Sequence, residues 1–265
     1  MIAAIDAGNY KTMYYDGQEF KQFPSMIGEY RERNIRQQHG QSDFEWEYEG
    51  QRGFAGTLAQ FESECAESQK GETKAHPDAR LRILLALHQF SKQTENKIVV
   101  GQPISTHTPD EKMAIKKMMQ GRHELTVNGN RRLIVIQQCE VAAEGVTAGL
   151  LIPGGGTVRV IDIGSGTVNF GTLIDRRFSD KGSFTLGAGM ESNRNVHPSS
   201  FGRQIALRAL AAGWKAGDTV YLCGGGAEKL LQYLLPYFPA VQLIPGDPSS
   251  ANASAFYLIA RKLYV

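Results

Sequence analysis

Val158-Arg159-Val160-Ile161-Asp162-Ile163-Gly164-Ser165-Gly166-Thr167-Val168-Asn169-Phe170 decides how this chain reads. The apolar run Val158 to Ile163 is the pattern of a buried strand, Gly164-Ser165-Gly166 is a turn, and Thr167 to Ile174 returns as a second strand. An Asp at the tip of a buried strand, followed by a glycine turn, can hold hydrated magnesium while the turn's backbone amides face phosphate oxygens. Two glycines around Ser165, with the hydroxyl of Thr167 directly after, make this more than an ordinary tight turn.

Working outward, residues 2 to 15 echo that order: Ile2 to Ile5, then Asp6-Ala7-Gly8-Asn9, then Met13 to Tyr15. A third strand, Glu19 to Phe23, follows the Asp16-Gly17 turn, so the chain opens as a β-meander. Toward the other end, Gly224-Gly225-Gly226 follows the apolar strand Thr219 to Cys223. Asp6 to Asn9 alone would fit any hairpin, because Asp and Gly are what tight turns require. The three signatures in order point instead to two related half-domains closing on one nucleotide.

Between them the pattern alternates helix and strand. Pro24 to Gly53 is polar, and Phe44-Glu45-Trp46-Glu47-Tyr48 alternates, which suits a small half-exposed sheet in an inserted subdomain. The aromatic stripe reads as sheet packing. Helical spacing from Pro77 to Phe90 leads to a strand at Lys97 to Val100, and a further helix starts near Pro109 and stops at Gly121. Strands near Glu124 to Val127 and Leu133 to Gln137 lead into Glu140-Val141-Ala142-Ala143-Glu144-Gly145, which reads as a small-residue helix. Beyond the second glycine turn we expect strands Val168 to Ile174 and Arg177 to Leu186. Helices follow near Ser199 to Ala212, from Ala227 to about Leu235, and from about Pro248 to Lys262.

Composition narrows the class. A chain of 265 residues can bury a stable core without disulfides, and 29 Lys+Arg against 27 Asp+Glu gives a net charge of +2. No direct nucleic-acid or anionic-membrane surface is expected. Cys65, Cys139 and Cys223 lie far apart without metal-ligand spacing and read as buried reduced thiols. The six histidines are scattered, with no paired spacing for a metal. The apolar start is too short for a signal peptide, and no run approaches the roughly 20 residues of a membrane helix. A soluble cytoplasmic protein is therefore expected.

The ordered motifs resemble the actin, heat-shock-chaperone and sugar-kinase superfamily, whose first phosphate loop, second phosphate loop and adenosine loop come in this sequence. Within it the chain is similar to bacterial plasmid-partition actins of the ParM type. The likeness rests on Val99-Val100-Gly101-Gln102-Pro103, Glu140 to Gly145, Asp162 to Phe170 and Ala251-Asn252-Ala253-Ser254-Ala255-Phe256-Tyr257. It implies an α/β, actin-like, duplicated RNase H-like fold of two domains with the nucleotide in the cleft between them. Domain I would span 1–145, with an inserted subdomain IB at about 24–56 and the C-terminal helix 248–265 packing back on it; domain II would span 146–247.

The resemblance also implies roles. Asp6 and Asp162 would hold Mg2+ through water, Gly8 and Asn9 would lie against the terminal phosphates, and Gly164, Ser165, Gly166 and Thr167 would cradle them from the other side. Glu140 would polarise the attacking water of an ATPase cleaving a phosphoric anhydride, with Glu144 the internal competitor. Gly224, Gly225 and Gly226 would lie flat against the adenosine, since only glycine permits such close approach. Lys11 departs from the pattern. The first-loop lysine of ParM and actin lies later in the hairpin, where this chain has Met13, so Lys11 is either a phosphate ligand or a solvent-facing strand lysine.

In full-length actins a whole subdomain, IIB, lies between the second phosphate loop and the adenosine loop. Here Thr167 to Leu222 is mostly occupied by the expected strands and helix, so subdomain IIB is expected to be absent or vestigial, as in the AlfA-like branch. That leaves the base site open on one side, with ATP the expected nucleotide and GTP the alternative. The implied function is a nucleotide-driven polar filament that segregates plasmid DNA through a ParR-type adaptor. Two other classes compete. A type III pantothenate kinase would share the first and last motifs, but its Gly-Ala-Asp-Arg stretch has no counterpart at Glu140 to Gly145. A chaperone-like ATPase would need a substrate domain after the core.

Overall fold

The computed structural model describes residues 1–35, 37–67 and 73–265 and divides into two units, each organised on its own sheet. Unit 1 comprises Met1–Val100, Asp110–Val141 and Ile259–Val265; unit 2 comprises Gly101–Pro109 and Ala142–Leu258.

In unit 1 the strands are β1 (Ile2–Ala7), β2 (Lys11–Tyr15), β3 (Phe20–Pro24), β4 (Ile27–Glu29), β5 (Asp43–Tyr48), β6 (Gln51–Gly56), β7 (Glu95–Gln102), β8 (Gly121–Val127) and β9 (Asn130–Ala143). The helices are α1 (Thr57–Glu62), α2 (Pro77–Phe90) and α3 (Pro109–Met119). The sheet order is β3-β2-β1-β7-β9-β8-β5-β6-β4. The opening meander is antiparallel, and β1 then pairs in parallel with β7, Ile5 opposite Val100. Leu81, Ile83, Leu84, Leu85 and Leu87 of α2 are buried in one cluster with Ile5, Tyr14, Ile98 and Ile134. Helix α2 begins where it does for two reasons: Pro77 supplies a preset φ, and His76 Nδ1 accepts from Ala79 N at 3.2 Å.

Two expectations change here. Phe44, Trp46 and Tyr48 are not on a half-exposed satellite sheet. Strand β5 pairs with β8, which carries the large sheet straight through the stretch, and all three rings are buried in the main cluster. Their spacing of two residues places them on one face, and it is the apolar neighbours that make that face a core. The expected helix at Glu140 is the end of strand β9. Cys139 and Val141 are both buried while Glu140 between them is half-buried, the two-residue alternation of a strand. Glu140 therefore lies on a strand that ends at Ala143, and not one helical turn before Glu144.

Unit 2 contains β10 (Thr157–Ile163), β11 (Val168–Ile174), β12 (Arg177–Phe178), β13 (Phe184–Leu186), β14 (Val220–Cys223) and β15 (Gln242–Leu243), with α4 (Pro198–Ala211) and α5 (Ala227–Leu234). Helix α6 (Ala251–Tyr264) begins in this unit and ends in unit 1. The order is β12-β11-β10-β14-β15, with β13 also on β11 and with β10, β14 and β15 mutually parallel. Phe201, Ile205 and Ala209 of α4 and Leu230 and Leu234 of α5 are buried with Ile161, Ile163 and Leu222. Between β11 and β14 the chain forms only two short strands and α4, which leaves no subdomain IIB. The single strand expected at Arg177 to Leu186 is broken, because Gly182 at φ +97° turns the chain between β12 and β13. Cys139 and Cys223 are buried free thiols as expected; Cys65 is free but exposed.

Candidate phosphate-binding loops

Both units present an Asp-tipped hairpin with the same register. Strand β1 pairs Asp6 with Met13, and β10 pairs Asp162 with Asn169. In each loop a Cβ on the glycine two residues after the Asp would crowd a loop carbonyl: on Gly8 it would lie 2.8 Å from Lys11 O, and on Gly164 3.0 Å from Thr167 O. Lys11 therefore occupies the loop position that Thr167 occupies in unit 2. Lys11 is exposed, and its partner across the β2–β3 ladder is Pro24.

The loops are braced differently. In unit 1, Ser25 donates to Gly8 O at 2.6 Å, and Thr12 Oγ1 lies 2.8 Å from Ser25 Oγ. Since Ser25 has one hydroxyl proton and Gly8 O can only accept, Thr12 must be the donor of the pair. Ser25 N donates to Tyr10 O at 3.0 Å, Arg82 Nε donates to Ser25 O at 2.9 Å, and Lys74 Nζ donates to Ala7 O at 2.6 Å. Three loop carbonyls, those of Ala7, Gly8 and Tyr10, are thus tied down. Ser25, Lys74 and Arg82 carried no role in the sequence reading, because they come from three separate parts of the chain.

In unit 2, backbone amides do that work. Met190 N donates to Gly164 O at 3.0 Å, and Glu191 N to Ser165 O at 2.9 Å. Gly189 lies against Ser165 so closely that a Cβ there would meet Ser165 O at 2.3 Å. Asp162 is buried, and its Oδ2 accepts from Asn252 Nδ2 at 3.1 Å and Asn169 Nδ2 at 3.4 Å. Asn252, in the first turn of α6, also accepts from Gly145 N at 2.9 Å. Neutral amide donors stabilise a buried carboxylate without cancelling its charge, which suits a group that must still attract a cation. Asn169 and Asn252 both lay within the motifs that suggested the fold, yet only the register shows that they converge on Asp162.

The glycine triplet has two purposes. Gly224, at φ +83°, would put a Cβ 2.5 Å from Asp162 Oδ1 and 2.6 Å from Ile163 O; Gly226 would put one 2.8 Å from Met190 Sδ. Their amides donate to Pro248 O at 2.8 Å and Ile163 O at 3.0 Å. Gly224 and Gly226 are therefore glycine because of protein neighbours. Gly225 meets nothing within 4 Å and is the one with an open face.

Glu140 belongs to unit 1 and ion-pairs with Lys116 Nζ of α3 at 2.7 Å. Burial works against its ionisation, but hydrogen bonds from Lys116 and Val141 N, with the charges of Lys116 and Lys112, outweigh it and hold its pKa below the usual carboxylate value. Glu144 is buried in unit 2; its N donates to Gln102 O at 2.8 Å, and the adjoining Gly145 packs against Asp162 and Asn169.

Asp6 and Asp162 supply hard oxygen donors of the kind magnesium takes, and the tight glycine cradles suit phosphate oxygens. Among the described residues no three His, Cys, Asp or Glu side chains form a group that could hold a metal ion. No described helix is long and apolar enough to cross a membrane.

Residues 4–146 match the family described as actin like proteins N terminal domain. Among solved structures, the AlfA filament bound to AMPPNP has a TM-score of 0.82 at 22% identity, covering 100% of this chain and 99% of that one. The apo ParM protein of psk41 has a TM-score of 0.75 at 15% identity, with 99% and 97% covered. An archaeal actin homolog reaches 0.80 at 18% identity, with 98% and 99% covered. Among curated proteins none matches the chain.

Proposed function

The chain belongs to the family of actin-like proteins, and from that premise we propose that it is a nucleotide-driven filament protein that hydrolyses ATP, or GTP, and segregates plasmid DNA through an adaptor. The observation that carries this reading is the pair of Asp-tipped hairpins in identical register, one per unit, each with a glycine on which a Cβ would crowd the carbonyl three residues on. The AlfA neighbour, a filament bound to AMPPNP, supports it.

In this reading Asp6 and Asp162 orient water ligands of Mg2+, which when bound offsets charge on the transferring phosphoryl group. Gly8 and Asn9, and Gly164 to Thr167, offer backbone and hydroxyl donors to the phosphates. Gly225 lies against the adenosine, with Gly224 and Gly226 fixing the turn. Glu140 orients the attacking water. A carboxylate already ionised at neutral pH can accept a hydrogen bond from water at once, and Lys116 sets its direction. Glu144 is the competing residue, because its neighbour Gly145 packs on Asp162. Assembly is head to tail, a heterologous contact that does not close. The adaptor is of the ParR type, direct DNA binding is not part of the reading, and the protein works in the cytoplasm.

Sedimentation and electron microscopy with ATP, GTP and no nucleotide test the proposal. Filaments that require nucleotide, with phosphate release that needs no acceptor molecule, are the expected result. Failure to pellet at high concentration with either nucleotide would sink it. Turnover that depends on an added hydroxyl acceptor would do the same. Glu140→Gln should stop phosphate release while leaving assembly intact; if Glu144→Gln alone does so, the roles are exchanged.

A further inference from the structure

The first phosphate loop has no cation in its hairpin at the position opposite Asp6, where Met13 stands, and its one lysine, Lys11, is exposed on the edge of β2. A different lysine has its ammonium against the loop. Lys74 reaches Ala7 O, between Asp6 and Gly8, at 2.6 Å and is half-buried there. We propose that Lys74 is the phosphate-binding cation of the first loop, delivered by the segment ahead of α2 rather than by the hairpin. The inference rests on the nucleotide reading above and adds a residue to it.

Three observations support the placement. The segment is anchored on both sides of Lys74: the Thr73 hydroxyl donates to Glu111 of α3 and accepts from Ala75 N at 2.9 Å, and His76 caps α2. An anchored lysine loses less freedom on meeting a ligand than an exposed one such as Lys11. The ammonium carries three donors in tetrahedral array, and its bond to Ala7 O holds one of them against the loop. That bond also occupies one loop carbonyl, as Ser25 does for Gly8 O and Tyr10 O. A loop whose carbonyls are occupied presents its N–H groups, which are the partners phosphate needs.

The test is binding of ATP, ADP and AMP to the full-length protein with Mg2+, at two salt concentrations, for wild type, Lys74→Met, Lys74→Arg and Lys11→Met. Losing a charged donor should weaken ATP binding of Lys74→Met by roughly 10- to 100-fold. AMP binding should change little and the salt dependence of ATP affinity should flatten. Lys74→Arg should recover part of the loss, and Lys11→Met should leave ATP affinity within about threefold. ATP binding by Lys74→Met equal to wild type overturns the inference while the nucleotide reading stands. An equal loss for ATP and AMP, accompanied by a lower melting temperature, also overturns it, since Lys74 would then only hold the loop. A wild type that binds none of the three nucleotides overturns the reading and the inference together.

Discussion

The hairpin of Asp6 and the hairpin of Asp162 share one backbone and differ in nearly everything that holds it. Each Asp and its cross-strand partner are seven positions apart, and each loop glycine sits over the carbonyl three residues on. Yet the first loop is gripped chiefly by side chains, Ser25 and Lys74, and the second by the amides of Met190 and Glu191. Opposite Asp6 stands Met13, whereas opposite Asp162 stands Asn169, which bonds it. Backbone bracing constrains which residues are glycine and hardly constrains the rest, while side-chain bracing depends on particular residues far away in sequence. Polar substitutions should therefore loosen each loop separately, Ser25 and Lys74 acting on the first and Asn252 on the second, while a Cβ on the loop glycine crowds a carbonyl in both.

The largest expected effect is at Gly224. Gly224→Ala combines a positive φ with a Cβ that would press on Asp162 and on the Ile163 carbonyl, and should cost roughly 2 to 4 kcal/mol. Denaturant unfolding measures this, and a loss below half a kcal/mol would mean the turn relaxes freely. Next, Asn252→Ala removes a donor from buried Asp162 and the acceptor of Gly145 N, for about 1 to 3 kcal/mol. Amide exchange should quicken around Gly145 and Ser165 and not around Gly8. Exchange that rises equally at both loops would remove the contrast between them.

Ser25→Ala should cost about 1 to 2 kcal/mol, since Thr12 and Gly8 O lose their buried partner. Faster exchange confined to residues 8–12 is the expected signature. A smaller effect is expected from pH. Burial, then the charge of Arg82, lowers the pKa of His76, with Asp78 opposing and Lys74 adding to the lowering. Its folded pKa lies below the unfolded value, so the unfolded chain binds the proton more readily. The contribution is present above about pH 6.5 and is lost as pH falls through the folded pKa, where protonated Nδ1 can no longer accept from Ala79 N. The loss should be on the order of 1 kcal/mol or less, read from urea midpoints between neutral and mildly acid pH, and His76→Asn should flatten it. Smallest in stability is Gly225→Ala, expected within about 0.5 kcal/mol of wild type because its Cβ meets open space. Nucleotide affinity should nonetheless fall, and unchanged affinity would remove Gly225 from the proposed adenosine surface.

Most of the elements were legible in the residues, and the reasons are local. Strand, Asp, glycine turn and strand is a pattern of neighbours, as is the apolar spacing of α2 from Pro77 onward. Two misreadings were also local patterns, overruled by distant pairing. Glu140 to Gly145 has helix-forming composition, but Cys139 and Val141 fill the core from a strand that lies beside β7. The Phe44, Trp46 and Tyr48 stripe is amphipathic by itself and becomes core because β5 joins β8.

The residues alone determined the two Asp-tipped hairpins, the glycine triplet and the order in which they occur, because turn chemistry and strand periodicity are properties of adjacent side chains. Only the tertiary structure decided what holds those loops. Ser25 and Arg82 at the first, Asn169 and Asn252 at Asp162, Met190 and Glu191 behind Ser165, and Lys74 against Ala7 each act across a gap in the chain. Hydrogen bonds of that kind are set by the sheet register and helix docking that bring the partners within 3.5 Å, and no spacing in the sequence encodes that distance.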